Sequence, residues 1–186
     1  MKEWPDKDLF NALREDNKEA LSVLFLRHYD SLLHYGMRVK ANRILIEECI
    51  QELFVYLFES ASRLGQVQQV RAYLFKALRR RILEKIKREK RLESRDALAW
   101  FRSDISFSDD DIQWNQREDP NLNAMLLKAL NSLPWRQREA VYLRYYNRLS
   151  TKEIAEIMGA ANQTVLNTLH QALKNLRKNS MFDHLI

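Results

Sequence analysis

Apolar side chains recur every three to four residues along most of the chain, which is the spacing of one face of a helix. No convincing run alternates apolar and polar residues as a half-buried strand would. In the first half, the pattern predicts a short helix that starts at Asp6 or Asp8. Three further helices are predicted over residues 17–40, 43–60 and about 67–92. Only three Gly and three Pro interrupt the 186 residues, so the pattern predicts an all-α protein.

The last third of the chain predicts three further helices, an opening one at residues 133–139, a short one at 150–159 and a long one at 162–178. Ser150 and Glu153 have the spacing of a capping box, which gives the short helix a chemically defined start. Gly159 can turn the chain after it because glycine tolerates positive φ. The long helix repeats apolar positions at Val165, Leu169, Leu173 and Leu176. This arrangement is typical of a helix-turn-helix followed by a long recognition helix.

Between residues 93 and 120 the helical periodicity fails, and serines, a run of three aspartates and an Asp-Pro pair replace it. We therefore predict two small helical domains, residues 1–92 and 121–186, joined by an acidic linker over residues 93–120. Several large aromatic residues are unusual for a free tether and indicate that parts of the linker dock on something. They are Trp100, Phe101, Phe107 and Trp114. A short helix near residues 97–101 would account for some of them.

Positive charge is concentrated in two segments. The whole chain has a net charge of +6, yet residues 67–92 alone hold ten basic and two acidic side chains. Residues 121–186 hold nine basic and four acidic ones, whereas the linker holds three and eight. The segment 67–92 also carries an apolar stripe, so it packs on one side and presents cations on others. Such a basic helix favours a nucleic-acid partner over a merely solvated face.

Composition narrows the class of protein further. Cys49 is the only cysteine, so no internal disulfide can form, and we expect a reducing compartment in which Cys49 acts as a small hydrophobe. No apolar run approaches the ~20 residues that span a bilayer, and no signal-peptide core follows Met1, so we expect a soluble, cytoplasmic protein. Four scattered histidines and no Gly-rich phosphate loop give no metal site, cofactor site or activated nucleophile. No enzymatic activity is therefore expected.

Two series of residues match a known family in order and spacing. The downstream series, within residues 130–177, consists of Leu133-Pro134, Arg138-Glu139, Leu149-Ser150, Glu153-Ile154-Ala155, Gly159, Thr164-Val165, Ala172 and Leu176-Arg177. It resembles region 4, the C-terminal DNA-binding domain of RNA polymerase sigma factors, particularly of the small extracytoplasmic-function group. The upstream series, residues 48–54 followed by 71–75 and 79–81, resembles region 2, with which these factors grip the β′ clamp of the polymerase.

The resemblance implies a transcription initiation factor that binds core RNA polymerase and directs it to promoters. The β′ clamp presents an arginine-rich coiled coil, and the residues assigned to it here are Glu48, Gln51, Glu52 and Phe54. The same domain would bind the minus-ten element as single-stranded DNA. The residues assigned to that element are Gln66, Gln68, Gln69, Arg71, Lys76, Arg79, Arg80 and Lys87. Family members often have Asn and Asp where Arg80 and Glu84 stand, so the family's base-reading roles do not transfer to these two positions.

The resemblance also implies that the C-terminal domain contacts the β flap and binds the minus-thirty-five element as duplex DNA. The residues assigned to this element are Arg148, Lys152, Gln163, Thr164, Asn167, Gln171 and Lys174. The recognition helix departs from the family, which usually has basic residues after Thr164-Val165 and again one turn later. Amides remain as readers because they pair with adenine in the major groove. Phosphate contacts are then expected from Arg136, Arg138, Arg144, Arg148 and Lys152.

Two other classes of protein stay open. A stand-alone helix-turn-helix regulator would need only the C-terminal half, usually with a dimer interface that the sequence does not reveal. An RNA-binding or other interaction protein would use the basic helix alone. A sigma factor differs from both because it needs core polymerase to bind a specific promoter. The family also implies an anti-sigma partner, commonly membrane-associated, and we predict that Asp104 and residues 109–111 lie in the basic RNA path of the polymerase.

Overall fold

The computed structural model describes residues 3–91, 105–108, 111 and 120–178. Its first part contains four helices, α1 (Asp6–Arg14), α2 (Lys18–Val39), α3 (Arg43–Ser60) and α4 (Val70–Arg91), with a 3-10 turn at Ala61–Arg63. Local side chains define two of the starts, because Asn17 accepts a hydrogen bond from the Ala20 N–H and Asn42 accepts one from the Leu45 N–H. The fourth helix, predicted to begin at about residue 67, begins at Val70, and residues 67–69 belong to the preceding loop.

The N-terminal helices pack around an apolar core rich in leucine and aromatic side chains. Tyr35 of α2 and Phe75 of α4 are almost fully buried, with ring centroids 5.1 Å apart. Helices α2 and α3 approach so closely at Gly36 that an added Cβ would collide with the Ile46 side chain. Fully buried members of this core include Leu24, Leu32, Ile46, Ile50, Leu53, Leu57, Leu74 and Leu78. The core leaves the outer faces of α3 and α4 for other contacts.

The second part contains α5 (Pro120–Ser132), α6 (Trp135–Val141), α7 (Thr151–Met158) and α8 (Asn162–Lys178). A π-helical turn, Tyr142–Tyr146, extends α6. The predicted capping box is present, since the Ser150 hydroxyl accepts from the Glu153 N–H while the Glu153 carboxylate accepts from the Ser150 N–H. Gly159 ends α7 at φ 63°, in the left-handed region that glycine tolerates. The prediction of an all-α chain with a C-terminal helix-turn-helix is confirmed.

Residues 105–108, which lie inside the predicted linker, form part of the C-terminal domain and are called the docked segment below. Phe107 is 4% exposed, and its ring centroid lies 6.1 Å from that of Tyr142 and 5.5 Å from that of Tyr146. The Asn131 side chain accepts from the Phe107 N–H at 2.8 Å and donates to the Phe107 carbonyl at 3.0 Å. The expectation that Phe107 docks is therefore confirmed, whereas Trp100, Phe101, Trp114 and the helix near residues 97–101 lie outside the described residues.

Of the linker aspartates predicted to lie in the RNA path of the polymerase, the structure describes Asp111. Its carboxylate is largely buried and accepts a hydrogen bond from the Ser108 N–H at 2.7 Å. This carboxylate is therefore engaged within the chain through Ser108, and the predicted position of residue 111 in the RNA path of the polymerase stays a prediction. Asp104 and residues 109–110 lie outside the described residues. Within the described ranges, no helix is both long enough and apolar enough to cross a bilayer.

Candidate nucleic-acid and partner surfaces

Helix α4 buries one apolar stripe and presents its cations elsewhere, as its sequence pattern predicts. The buried residues are Val70, Ala72, Leu74, Phe75, Leu78, Ile82 and Ile86. Lys76, Arg80 and Lys87 are exposed, while Arg71 and Arg79 are half-buried. The Arg71 guanidinium lies 5.7 Å from the centroid of the Phe75 ring, which orients this cation at the start of the helix. The fold thus holds a row of positive charge on a rigid, docked element.

A cavity of about 320 Å³ lies between α3 and α4, directly beside these cations. Its walls are formed by Tyr56, Tyr73, Lys76, Ala77, Arg80, Arg81 and Glu84. Tyr56 is 43% exposed, and the Arg81 guanidinium lies 5.2 Å from its ring centroid. Tyr56, Tyr73 and Arg81 were not assigned to any site from the sequence. The available signal was that Tyr56 follows Glu52 by one helical turn on the polar face of α3.

Arg80 and Glu84 form an ion pair at the rim of this cavity. The Arg80 Nε donates to Glu84 Oε1 at 2.8 Å, and both side chains are well exposed. The hydrogen bond from Arg80 lowers the pKa of the Glu84 carboxyl below its usual range, so the carboxylate is charged near neutral pH. Because only Nε takes part in this bond, the terminal nitrogens of the Arg80 fork lie outside it. The pair therefore orients a guanidinium next to two tyrosine rings.

The three predicted glutamines are exposed but do not line the cavity. Gln66, Gln68 and Gln69 lie in the loop between the 3-10 turn and α4. The Gln69 carbonyl accepts from the Tyr73 N–H at 3.0 Å, so its backbone occupies the N-cap position of α4. The glutamine loop thus precedes α4, and the tyrosine cavity lies further along the helix as a separate feature.

Helix α3 carries the predicted acidic face, with one correction. Glu48, Gln51 and Glu52 are exposed along it, as expected. Phe54 does not share this face, because it follows the fully buried Ile50 by one helical turn and is only 5% exposed. Its ring packs edge-on against Phe25, with centroids 5.1 Å apart. Phe54 therefore supports α3 from within the domain.

The acidic face is tied to α4 by a residue that received no role from the sequence. The Lys85 Nζ lies 2.9 Å from Glu48 Oε2 and 2.8 Å from Glu52 Oε1. Burial lowers the pKa of Lys85, but its hydrogen bonds to the two glutamates outweigh burial and raise the pKa overall. Lys85 is therefore charged at any physiological pH. The two carboxylates are held one turn apart by a single ammonium group.

Helix α8 exposes a row of amides. Gln163, Thr164, Asn167, Gln171 and Lys174 are all exposed, as predicted. The Gln163 side-chain amide donates to the side-chain oxygen of Asn167 at 3.1 Å, and the Gln171 side-chain amide donates to the side-chain oxygen of Asn175 at the same distance. Asn175 in turn donates to Gln137 of α6 at 2.9 Å. The predicted inward position of Leu173 is wrong, because it is 39% exposed and Ala172 takes the inward position after Leu169.

The cations of the C-terminal domain divide into two groups. Arg148, at φ 53°, and Lys152 are exposed at the start of the helix-turn-helix. Arg138 and Arg144 instead donate to the backbone carbonyls of Asn131 and Leu149, at 3.1 and 2.9 Å. Burial also lowers the pKa of Arg138. The half-buried guanidinium of Arg138 thus braces α6 against the end of α5, and its expected phosphate contact stays a prediction.

Comparison with known proteins gives the same division of the chain. The sigma-70 region 2 family model matches residues 24–92, and the sigma-70 region 4 model matches residues 123–176. The RNA polymerase sigma factor SigV of Bacillus subtilis is 26% identical over 166 residues, which cover 88% of this chain and 93% of that protein. The ECF RNA polymerase sigma factor SigL of Mycobacterium tuberculosis is 26% identical over 163 residues, covering 84% and 86%. Both relatives match nearly end to end.

Solved structures show the same fold. CnrH in complex with the cytosolic domain of CnrY has a TM-score of 0.62 at 18% identity, covering 96% of this chain and 98% of that one. The sigma factor RpoE in complex with the anti-sigma factor NepR from Bartonella quintana has a TM-score of 0.58 at 21% identity, covering 86% and 95%. The two family models together match about two thirds of the sequence. The chain belongs to the extracytoplasmic-function group of sigma-70 family sigma factors, which direct RNA polymerase to promoters, and is not a stand-alone regulator.

Proposed function

We propose that the two domains divide promoter recognition between them. Residues 1–92 bind core RNA polymerase and the minus-ten element, and residues 121–186 bind the minus-thirty-five element. The observation that carries this proposal is the pairing, in one chain, of a basic helix beside an aromatic cavity with a separate helix-turn-helix. A reducing, cytoplasmic location accompanies this role, because both partners, polymerase and promoter DNA, are found there.

The minus-ten element binds along α4 as a single strand. Lys76, Arg80 and Lys87 neutralise phosphates, with Arg71 and Arg79 supporting them from less exposed positions. The cavity volume of about 320 Å³ lies within the range of small-molecule pockets, about 300–1,000 Å³, so it can take an unstacked base. Tyr56 and Tyr73 offer rings for stacking, which tolerates any base. The exposed Gln66, Gln68 and Gln69 extend this surface from the loop before the helix.

The acidic face of α3 binds the β′ clamp. Glu48, Gln51 and Glu52 meet arginines of the clamp coiled coil, since carboxylates pair strongly with guanidinium groups. Phe54 acts from inside the domain by fixing α3 on Phe25. The C-terminal domain contacts the β flap. An anti-sigma protein completes the set of partners, in line with CnrH and RpoE, whose structures are complexes with CnrY and with the anti-sigma factor NepR.

The minus-thirty-five element binds across α8. Asn167 and Gln171 read base edges from the exposed face, with Gln163, Thr164 and Lys174 beside them. Arg148 and Lys152 bind phosphates and set the position of α8 in the major groove. The hydrogen bonds among the amides hold them in fixed orientations before DNA arrives.

Transcription with purified components tests this proposal. Core polymerase is incubated with a pool of genomic DNA fragments, with and without the full chain, and transcript starts are mapped. We expect defined start sites only when both proteins are present, each preceded by shared minus-ten and minus-thirty-five sequences. The chain alone should bind none of these fragments specifically. Specific binding by the chain alone, with no transcription, would instead identify a stand-alone regulator.

A further inference from the structure

We propose that Lys85 is a positioning residue for polymerase binding, because it holds Glu48 and Glu52 side by side before the partner arrives. This inference rests on the proposed role of the acidic face of α3. It adds a residue on the neighbouring helix that would not touch the polymerase. Lys85 would thereby differ from cations of α4 such as Lys76, Arg80 and Lys87, whose proposed ligand is DNA.

The geometry separates Lys85 from those cations. Its side chain is 22% exposed, while those of Glu48 and Glu52 are 57% and 50% exposed. The ammonium contacts Glu48 Oε2 and Glu52 Oε1, so one oxygen of each carboxylate takes no part in this contact. A carboxylate has about four acceptor positions, which leaves room for further donors. The lysine lies below the acidic face, and the carboxylates remain accessible above it.

Like charges one helical turn apart repel each other, and long glutamate side chains sample many rotamers. Lys85 offsets the repulsion and fixes both side chains in one arrangement. Immobilising a rotamer-rich side chain at an interface weakens association by about 2- to 12-fold, and two such side chains are involved here. A fixed pair has already lost this freedom. The polymerase would therefore bind two ordered carboxylates instead of ordering them itself.

Lys85 also carries a positive charge that opposes the approach of arginines. One unit charge about 7 Å away in water changes affinity roughly threefold, and salt at cellular strength screens this further. Ordering of two glutamates changes affinity by more than that. The positioning effect therefore exceeds the repulsion, and the difference between them should persist as salt rises.

Binding of the full chain to core RNA polymerase without DNA tests the proposal. Lys85→Met keeps an unbranched apolar stem and removes the charge. We expect its Kd to rise about 5- to 20-fold at every salt concentration between about 0.1 and 0.4 M. Lys85→Arg should restore binding to within about twofold, because a guanidinium can also bridge two carboxylates. Arg88→Met removes the same charge from an exposed position of the same helix and should leave the Kd unchanged.

A double-mutant cycle distinguishes positioning from general support of the fold. In a Glu48→Gln, Glu52→Gln background, Lys85→Met should weaken polymerase binding no further. An equal loss in both backgrounds would overturn the proposal, as would unchanged or tighter binding by the single Lys85→Met variant. A matching loss for Arg88→Met would also overturn it by assigning the effect to the overall charge of α4. Failure of the parent protein to bind polymerase would instead refute the proposed function.

Discussion

Helices α4 and α8 are both proposed to lie on DNA, yet they are built in opposite ways. Helix α4 carries ten basic side chains in 22 residues, whereas α8 carries three in 17, all within its last five residues. The exposed face of α8 is instead lined by amides that hydrogen-bond to one another. Charge supplies affinity without sequence information, and amides supply sequence information with little charge. The comparison suggests that α4 provides most of the promoter affinity and α8 most of the upstream discrimination.

The largest expected effect tests whether the cations of α4 supply the promoter affinity. Replacing Lys76 and Arg80 by Ala should weaken promoter binding by the polymerase complex on the order of 100-fold, because two charge-assisted contacts to phosphate are lost. The salt dependence should also flatten, by about 1.4 in the slope of log K against log salt for a single strand. Titration of a labelled promoter at several salt concentrations measures both. Lys128→Ala, at an exposed position of α5 outside the proposed surface, is the matched control.

The docked segment offers the next test, because it supports only one of the two domains. Phe107→Ala should destabilise the C-terminal domain by about 2–4 kcal/mol through loss of a buried ring. The N-terminal domain should keep its stability. Hydrogen exchange resolved by residue measures the two separately, with the amides of α6 and of α3 as reporters. Equal protection of α6 in the parent and the variant would show that the segment only rests on the surface.

Discrimination by the amides is expected to be a smaller effect. Replacing Asn167 and Gln171 by Ala should relax preference at one or two upstream base pairs, by about 1–3 kcal/mol per lost bidentate contact. The salt slope should not change. Arg148→Ala or Lys152→Ala should do the converse, weakening all sequences alike and lowering the slope by about 0.9. Selection of binding sites from random DNA measures the sequence preference of each variant. An unaltered upstream preference in the double variant would show that other residues recognise these bases.

The smallest expected effect concerns pH and the N-terminal domain. Burial raises the pKa of Asp6, but the hydrogen bonds and charges of His28 and Arg27 outweigh it and lower the pKa overall. A lowered carboxyl pKa stabilises the domain above the unfolded value near 4, and this contribution is lost as pH falls through the folded pKa. Asp6→Asn should therefore cost about 1 kcal/mol at pH 7 and progressively less below about pH 4. Thermal unfolding of both proteins across this range measures the difference, and a constant difference would contradict the assignment.

Several helix starts and the fold class could be predicted because their causes are local. Asn17, Asn42 and Ser150 each cap a helix with a side chain that lies within three residues of its partner. The helix-turn-helix could be predicted for the same reason, because the capping box of Ser150 and the turn at Gly159 are also local. The strong apolar periodicity predicted the remaining helices, because it indicates which face of each helix is buried.

The errors arose where packing decides between neighbouring positions. Ala172 lies inward in place of Leu173, since its spacing of seven residues from Val165 and three from Leu169 keeps it on the buried face of α8. Phe54 was assigned to clamp binding together with the acidic residues, although its spacing from Ile50 marks the buried stripe. The contact of Lys85 with α3 and the cavity lined by Tyr56 and Tyr73 require two helices to meet, and no local pattern records which helices do so.

The docked segment has a consequence for how sigma factors of this kind can be recombined. Because Asn131, Tyr142 and Tyr146 contact the backbone and ring of Phe107, the C-terminal domain includes the docked segment as well as the helices from Pro120 onward. A chimaera joined at residue 121 would pair a new helix-turn-helix with a foreign segment and leave both without their complement. A join placed before Ile105 keeps the two stretches together. Exchange of promoter preference between relatives is therefore expected to favour crossover points upstream of that residue.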